Sequence, residues 1–221
     1  MIATTPARVW DAPTRLFHWL LAGLLGLAWW SAENGEMGWH RLSGAVLLGL
    51  LVFRLIWGFI GGSTARFGNF LRSPAGVLAY LRPGSPEQAT PGHNPAGGYS
   101  VVIMLLLLAV QVATGLFAVD IDGLESGPLS HLVSFDQGRG AAAIHRLSFT
   151  LLQIAAGLHV LAILFYLVIR RRNLVTPMLT GADRQIDNAG GALIPASTTR
   201  LAMAVLVSAG LAWWTAQGLP V

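Results

Sequence analysis

Five long apolar segments determine what this chain can fold into. They cover residues 16–32, 42–61, 99–119, 144–169 and 201–216. About 20 helical residues cross the hydrocarbon core of a bilayer, so each segment is long enough, or nearly long enough, to span a membrane. Only 11% of the residues are charged and 54% are hydrophobic, so the chain cannot cover these segments with polar surface in water. We therefore expect an all-α integral membrane protein, with a four-helix transmembrane bundle and a fifth, shorter transmembrane helix.

The first apolar segment has a second interpretation as a cleaved signal peptide, because Arg8 and Arg15 precede it. The segment continues into Ala28-Trp29-Trp30-Ser31, which has no small-x-small cleavage site. Bulky tryptophans are unsuited to recognition by a signal peptidase. We therefore expect a retained span.

Charges alternate between the loops that connect the apolar segments. One set of loops is basic, with Arg8, Arg15, Arg66, Arg72, Arg82, Arg170, Arg171, Arg172, Arg184 and Arg200. The opposite set is acidic, with Glu33, Glu36, Asp120, Asp122, Glu125 and Asp136 against a single Arg139. By the positive-inside rule the N-terminus is cytoplasmic and the C-terminus lies outside. The placement of the arginines in the basic loops also accounts for the net charge of +4. We therefore expect no nucleic-acid partner.

Two connections on the basic side carry many turn residues. Residues 61–98 are rich in Gly, Pro and Arg and predict a short helix near Ser73 to Leu81, while residues 173–199 form a polar loop. Neither indicates a separate soluble domain. We predict a four-helix domain over residues 1–172, followed at 173–221 by a cytoplasmic loop and the last transmembrane helix.

The tetrapeptide His-Arg-Leu-Ser occurs twice, at residues 40–43 and 145–148, and His159 follows His145 by fourteen residues. In one helix these two histidines lie about 21 Å apart and nearly on the same face. The predicted topology pairs His40 with His145 near the outer surface, and His18 with His159 nearer the cytoplasm.

Two imidazoles from facing helices can hold a haem iron from opposite sides of the macrocycle. The chain has no Cys, which excludes covalent haem attachment and iron-sulfur clusters. The paired histidines therefore predict two non-covalent b-type haems, and Gly44, Gly49, Gly115 and Gly157 would let the rings approach the backbone. A lone histidine at a helix end is more often an interfacial polar residue, but four histidines at two matched levels favour ligands.

Arg54 follows His40 by fourteen residues and lies inside an apolar segment that has no acidic residue. An intramembrane arginine normally has an anionic partner, which a haem propionate would supply. We predict the same contact with a haem propionate for the arginines that lie beside the other proposed ligands, namely Arg15, Arg41 and Arg146.

The depth of the inner pair leaves two alternatives. His18 is three residues from Arg15, whereas His159 is eleven residues, or about 16 Å, from Arg170. Either the fourth transmembrane helix projects beyond the bilayer, or Arg15 is drawn inward to a propionate.

Two histidines are weaker candidates. His93 lies in the turn-rich run Gly92-His93-Asn94-Pro95-Ala96-Gly97-Gly98, which predicts a shaped loop. It would cap the inner site or contact a quinone, although a plain loop histidine is the favoured interpretation. His131 lies in the acidic outer loop and is expected to be solvated.

Three motifs resemble the prokaryotic cytochrome b561 family, which includes the b-type cytochrome subunits of nickel-iron hydrogenases. They are the run from Val9 to Trp19, His40-Arg41-Leu42-Ser43-Gly44, and the pair His145 and His159. The resemblance covers about residues 8–172 and implies a four-helix diheme core in a bacterial inner membrane. It also implies His18, His40, His145 and His159 as axial ligands and electron transfer with a quinone and a periplasmic partner.

We therefore expect a diheme cytochrome b that exchanges electrons with quinone and with a partner such as a c-type cytochrome. It would have no catalytic side chain of its own, although quinone oxidoreductase activity is compatible with it. The acidic loop from Asp120 to Asp136 would steer a basic partner, unless it is simply solvated. The alternatives are a membrane anchor for a hydrogenase or another periplasmic oxidoreductase and, remotely, a non-redox transporter or scaffold.

Overall fold

A computed structural model of the protein describes residues 6–82, 92–122, 124–185 and 193–217. Within these ranges most of the chain is helical. Its helices are α1 (Ala12–Glu33), α2 (Met37–Ile60), α3 (Phe67–Phe70), α4 (Pro74–Leu81), α5 (Pro95–Phe117), α6 (Phe135–Val168), α7 (Val175–Thr180) and α8 (Thr198–Ala216). A 3-10 turn at Ser130–Leu132 and two short strands, β1 (Ala7–Arg8) and β2 (Ala182–Asp183), complete the described elements. The predicted all-α class is confirmed.

Four of the described helices, α2, α5, α6 and α8, are long and apolar enough to cross a membrane. They correspond to the second to fifth predicted segments, three of which extend one or two residues past the end of the helix, and the shorter fifth segment is confirmed as a spanning candidate. The first segment lies in α1, whose 22 residues extend about 33 Å. Its helical structure is confirmed, and its passage through the membrane stays a prediction.

The helix α6 begins nine residues before the apolar segment that predicted it. Ser134 and Gln137 form a reciprocal capping box, in which Gln137 N donates to Ser134 Oγ and Ser134 N donates to Gln137 Oε1. The 34 residues of α6 extend about 51 Å, more than the ~30 Å hydrocarbon core. The helix is therefore longer than the core, and its extra residues precede the apolar segment at the end opposite Arg170, so both alternatives for the depth of His159 stay predictions.

The chain divides into two compact units. The first contains residues 1–16, 55–103 and 156–202, and the second contains residues 17–54, 104–155 and 203–221. Each unit thus combines parts of the chain that are distant in sequence. The domain boundary predicted between residues 172 and 173 stays a prediction.

In the first unit the N-terminal segment is tied to the connection before α8. Strand β1 pairs with β2 in antiparallel register, with Ala7 opposite Asp183 and Arg8 opposite Ala182. Gly181 has φ +86° and its carbonyl accepts hydrogen bonds from the N–H groups of Val9 and Trp10. A Cβ at Gly181 would lie 2.8 Å from the Trp10 carbonyl oxygen, so the turn requires glycine. This part of the polar connection is therefore structured.

In α4 the predicted short helix is confirmed, and the Ser73 hydroxyl caps it by accepting from Gly76 N.

In the second unit the connection after α5 folds back onto the end of that helix. Gly127 N donates to the Ala118 carbonyl at 2.8 Å, and Leu129 N donates to the Leu116 carbonyl at 2.8 Å. The side chain of Arg139 in α6 donates to the Val119 carbonyl. The acidic outer loop is thus a shaped structure as well as a charged one.

Small residues bring α2 and α8 together in the second unit. A Cβ built on Gly49 would lie 3.2 Å from the Ala212 Cβ and 3.5 Å from the Ser208 carbonyl oxygen. Gly49 therefore packs against a helix, and the prediction that it admits a haem is wrong. Close backbone approach at small residues is the usual way in which helices pack in lipid.

Candidate haem site

The rings of His40 and His145 face each other within the second unit. His40 lies in the first turns of α2 and His145 lies within α6, and their ring centroids are 6.1 Å apart with planes inclined at 78°. A metal–imidazole bond is about 2 Å long and the ring centre lies about 1 Å behind the nitrogen, so two axial imidazoles have centroids about 6 Å apart. The spacing fits one metal between the two rings. The structure therefore brings together the predicted outer pair.

Backbone carbonyls fix the proton position on both rings. His40 Nδ1 lies 2.8 Å from the Ala28 carbonyl oxygen, and His145 Nδ1 lies 2.9 Å from the Gln111 carbonyl oxygen. A carbonyl only accepts, so each Nδ1 must carry the proton and donate it. Each neutral ring then keeps its lone pair on Nε2, which is the state that a metal ligand needs.

Sequence reasoning missed Gln111, which lies against His145 from α5. Its side-chain Nε2 lies 2.9 Å from His145 Nε2, where the amide donates to the ring lone pair. Its Oε1 accepts from the hydroxyl of Ser148, and both residues are buried. Iron would need the same lone pair, so the Gln111 amide must leave it when a metal binds. The sequence feature that could have identified this residue is the presence of a polar glutamine inside the apolar segment 99–119.

Of the three other predicted glycines, Gly115 is covered by the His145 imidazole, whereas Gly44 and Gly157 leave space where a flat ring could approach the backbone. A Cβ on Gly115 would lie 2.9 Å from Cε1 of His145, so this ring packs on bare backbone. Around Gly44, four residues after His40, the described structure leaves open space within 4 Å of the Cβ position. Gly157 is similarly open. The groups present therefore fit a haem held by two imidazoles.

The two arginines that follow the outer histidines differ in their surroundings. Arg41 forms an ion pair with Glu125 of the outer loop, and both side chains are about half exposed, at 49% and 41%. Arg146 is exposed. Arg41 thus already has a carboxylate partner, while its predicted contact with a propionate stays a prediction.

The remaining predicted residues are divided between the two units. His18 is half-buried beside Trp19 at 4.9 Å between ring centroids, and belongs to the second unit, whereas the half-buried His159 belongs to the first. Arg54 is only 3% exposed in α2. Arg15 donates from Nη1 to the Leu179 carbonyl. The pairing of His18 with His159 and the roles of Arg15 and Arg54 stay predictions.

His93 lies between two aromatic rings of the first unit. Its ring centroid is 4.7 Å from Trp10 and 4.7 Å from Phe70. The next residue, Asn94, accepts from Gly97 N at the start of α5 and donates to the Tyr166 hydroxyl at 2.8 Å. The prediction of a shaped loop is confirmed, and these contacts explain the turn-rich run as a structural junction. His131 is exposed in the outer loop, as expected.

The spanning helices and the paired imidazoles are features expected of an all-α membrane protein that binds a metal-bearing macrocycle. A comparison with family models agrees, because the model described as prokaryotic cytochrome b561 matches residues 9–181. The chain belongs to the prokaryotic cytochrome b561 family. It is therefore a membrane b-type cytochrome, and this class binds b-type haem and transfers electrons. No curated protein and no solved structure matches the chain.

Proposed function

We propose that this protein carries electrons across the bacterial inner membrane between two b haems. One haem is held by His40 and His145, and the other by His18 and His159. The observation that carries the proposal is the 6.1 Å separation of the His40 and His145 rings, each of which has its Nδ1 beside a backbone carbonyl. A bound b haem supplies one-electron chemistry at its iron.

The chain's own residues would bind, orient and insulate this group. The carbonyls of Ala28 and Gln111 hold the two imidazoles in the required tautomer, and such outer contacts raise the basicity of the ligands. Charge near the outer site comes from Arg41 and Arg146, which follow the two histidines directly. The apolar helices around them keep water away, which lowers the dielectric constant around the iron.

The inner site is proposed from the sequence. His145 and His159 are fourteen residues apart on the continuous helix α6, about 21 Å along its axis. The predicted topology pairs His18 with His159, and the family resemblance implies both as axial ligands. The buried Arg54, fourteen residues after His40 in α2, would neutralise a propionate there.

Quinone on one side and a periplasmic protein on the other are the proposed redox partners, with an orientation that places the N-terminus in the cytoplasm. The outer loop supports a basic partner such as a c-type cytochrome, because Asp122 is exposed on a folded connection, while Glu125 is partly exposed and paired with Arg41. Electrostatic steering of this kind weakens as salt is raised.

A reduced-minus-oxidised spectrum of the purified protein, with a haem-to-protein ratio, tests the proposal. We expect a b-type spectrum and about two haems per chain. A ratio of one would contradict the two-haem arrangement, and a colourless protein made with adequate haem would overturn the proposal. Reduction of the haems by a quinol then tests the quinone, and co-purification of a second polypeptide would favour the membrane-anchor role.

A further inference from the structure

A cavity of about 330 Å³ lies in the first unit, and of the residues that line it Arg15 is also a predicted partner of a haem propionate. Its walls come from the N-terminal segment, the end of α2 and the start of α8. The lining includes Arg8, Trp10, Arg15, Trp57 and Thr198. Cationic, aromatic and hydroxyl groups thus face one space.

The positive charge of this cavity exceeds its negative charge. Its carboxylate, Asp11, is 9% exposed and has both oxygens occupied, Oδ1 by Thr14 N at 2.8 Å and Oδ2 by Trp57 Nε1 at 3.0 Å. In the described part of the chain neither Arg8 nor Arg15 forms a salt bridge. Nε of Arg15 is also buried without a hydrogen-bond partner. Because Arg15 Nη1 already donates to the Leu179 carbonyl, the Arg8 guanidinium and the other N–H groups of Arg15 are available to an anion.

The beginning of α8 adds to the positive potential. Thr198 is the first residue of this 19-residue helix and lines the cavity. The first N–H groups of a helix and its dipole favour an anion at this end. The contribution supplements the two arginines, which carry the larger charge.

The position of the cavity along the membrane helices indicates which anion it meets. It lies where α2 ends and α8 begins, and both helices are long and apolar enough to span a bilayer. Span ends lie at the level of lipid headgroups, where tryptophan is enriched. The lining also includes Leu193 and Leu201, which suit the glycerol and first methylenes of a lipid.

We propose that this cavity binds the phosphodiester headgroup of an anionic phospholipid, with Arg8 and Arg15 as phosphate ligands. Arginine forms bidentate hydrogen bonds with phosphate oxygens. A lipid and a free phosphate would present the same phosphate oxygens to the two arginines. The apolar lining favours the lipid.

The experiment uses the full chain in neutral detergent with its haem content unchanged. Binding of dioleoyl phosphatidylglycerol, dioleoyl phosphatidylcholine and inorganic phosphate is titrated, and lipid retention is counted by native mass spectrometry. We expect selective retention of phosphatidylglycerol. The double variant Arg8→Gln, Arg15→Gln should bind it at least roughly tenfold more weakly, whereas Arg72→Gln, the same change at an exposed site outside the cavity, should bind normally.

Several results would overturn the proposal. They are equal retention of phosphatidylcholine, an equal loss in Arg72→Gln, or full binding by the double variant. If inorganic phosphate binds as tightly as the lipid, the ligand of the cavity is a free anion and not a lipid. If the double variant does not fold, Arg8→Gln alone decides, because this exposed side chain should still contribute a measurable loss of affinity.

Discussion

The side chain and the main chain of Gln111 both contact the ring of His145. The Gln111 carbonyl oxygen accepts from Nδ1 at 2.9 Å, and the side-chain amide nitrogen lies 2.9 Å from Nε2. The first contact prepares the ring for a metal and the second occupies the atom that would bind it. Gln111 thus favours metal binding by His145 through its carbonyl and opposes it through its side-chain amide.

The proposed ligand pairs predict how single variants divide between spectral components. His40→Ala and His145→Ala should each remove the same haem, and His18→Ala and His159→Ala should remove the other. Each variant leaves the haem iron with only one of its two axial imidazoles, which does not hold the haem. His131→Ala, at an exposed site of the outer loop, is the control and should leave the spectrum intact. Loss of one common component in His18→Ala and His40→Ala would contradict the pairing. Redox titration of the absorbance bands is the measurement.

Gln111→Leu should strengthen haem binding to the apoprotein. The variant removes the amide that competes for His145 Nε2, while the main-chain acceptor for Nδ1 remains. A net hydrogen bond is worth about 1 kcal/mol, so we expect affinity to rise roughly fivefold. Haem titration followed in the Soret band measures this, and Gln153→Leu, at an exposed position of α6, is the matched control. Unchanged or weaker binding in Gln111→Leu would show that the amide does not compete.

Most of the transmembrane fold could be predicted from hydrophobic segments. The runs at 42–61, 99–119, 144–169 and 201–216 each became one helix, because every backbone polar group in lipid must be satisfied within its own segment. The start of α6 was missed, since its first nine residues are held by the Ser134 and Gln137 capping box and contribute little apolarity.

Contacts between distant parts of the chain could not be predicted. The partner of Gln111 depends on how α5 and α6 are rotated against each other, which a periodic apolar pattern does not specify. The pairing of Arg8 with Ala182 joins two-residue strands that carry no alternating pattern. Gly49 illustrates the same limit, because a glycine that admits a cofactor and one that admits a helix look alike in sequence.

Gly115→Ala should disturb the His145 ring. The added Cβ would lie 2.9 Å from Cε1 and 3.1 Å from Nδ1, so the ring must shift away from the Gln111 carbonyl. We expect overpacking to cost about 1–3 kcal/mol of stability and to lower occupancy of the outer haem. Thermal unfolding and haem stoichiometry measure the two effects. Gly140→Ala, in α6 with open space around the Cβ position, is the control and should be neutral or stabilising.

Gly49→Leu should separate α2 from α8. A Cβ at Gly49 already lies 3.2 Å from Ala212 Cβ, so the larger side chain cannot fit without moving a helix. A lower unfolding temperature with an intact haem spectrum is the expected result, because the contact lies on the α8 side of α2. Gly210→Leu, with open space in α8, should have little effect. Equal melting of the two variants would exclude Gly49 as a packing contact.

The ion pair between Arg41 and Glu125 should tune the potential of the outer haem rather than the stability of the fold. Both side chains are about half exposed, so the pair contributes little to folding. Removing the negative charge with Glu125→Gln disfavours the oxidised, more positive iron and should raise the midpoint potential, whereas Arg41→Gln should lower it. At the energies of exposed pairs the shifts would be roughly 10–40 mV for one electron. Asp122→Asn, the same charge change in the same loop, should shift the potential less. A potential that responds equally to Asp122→Asn and Glu125→Gln would show that only the overall charge of the loop acts on the haem.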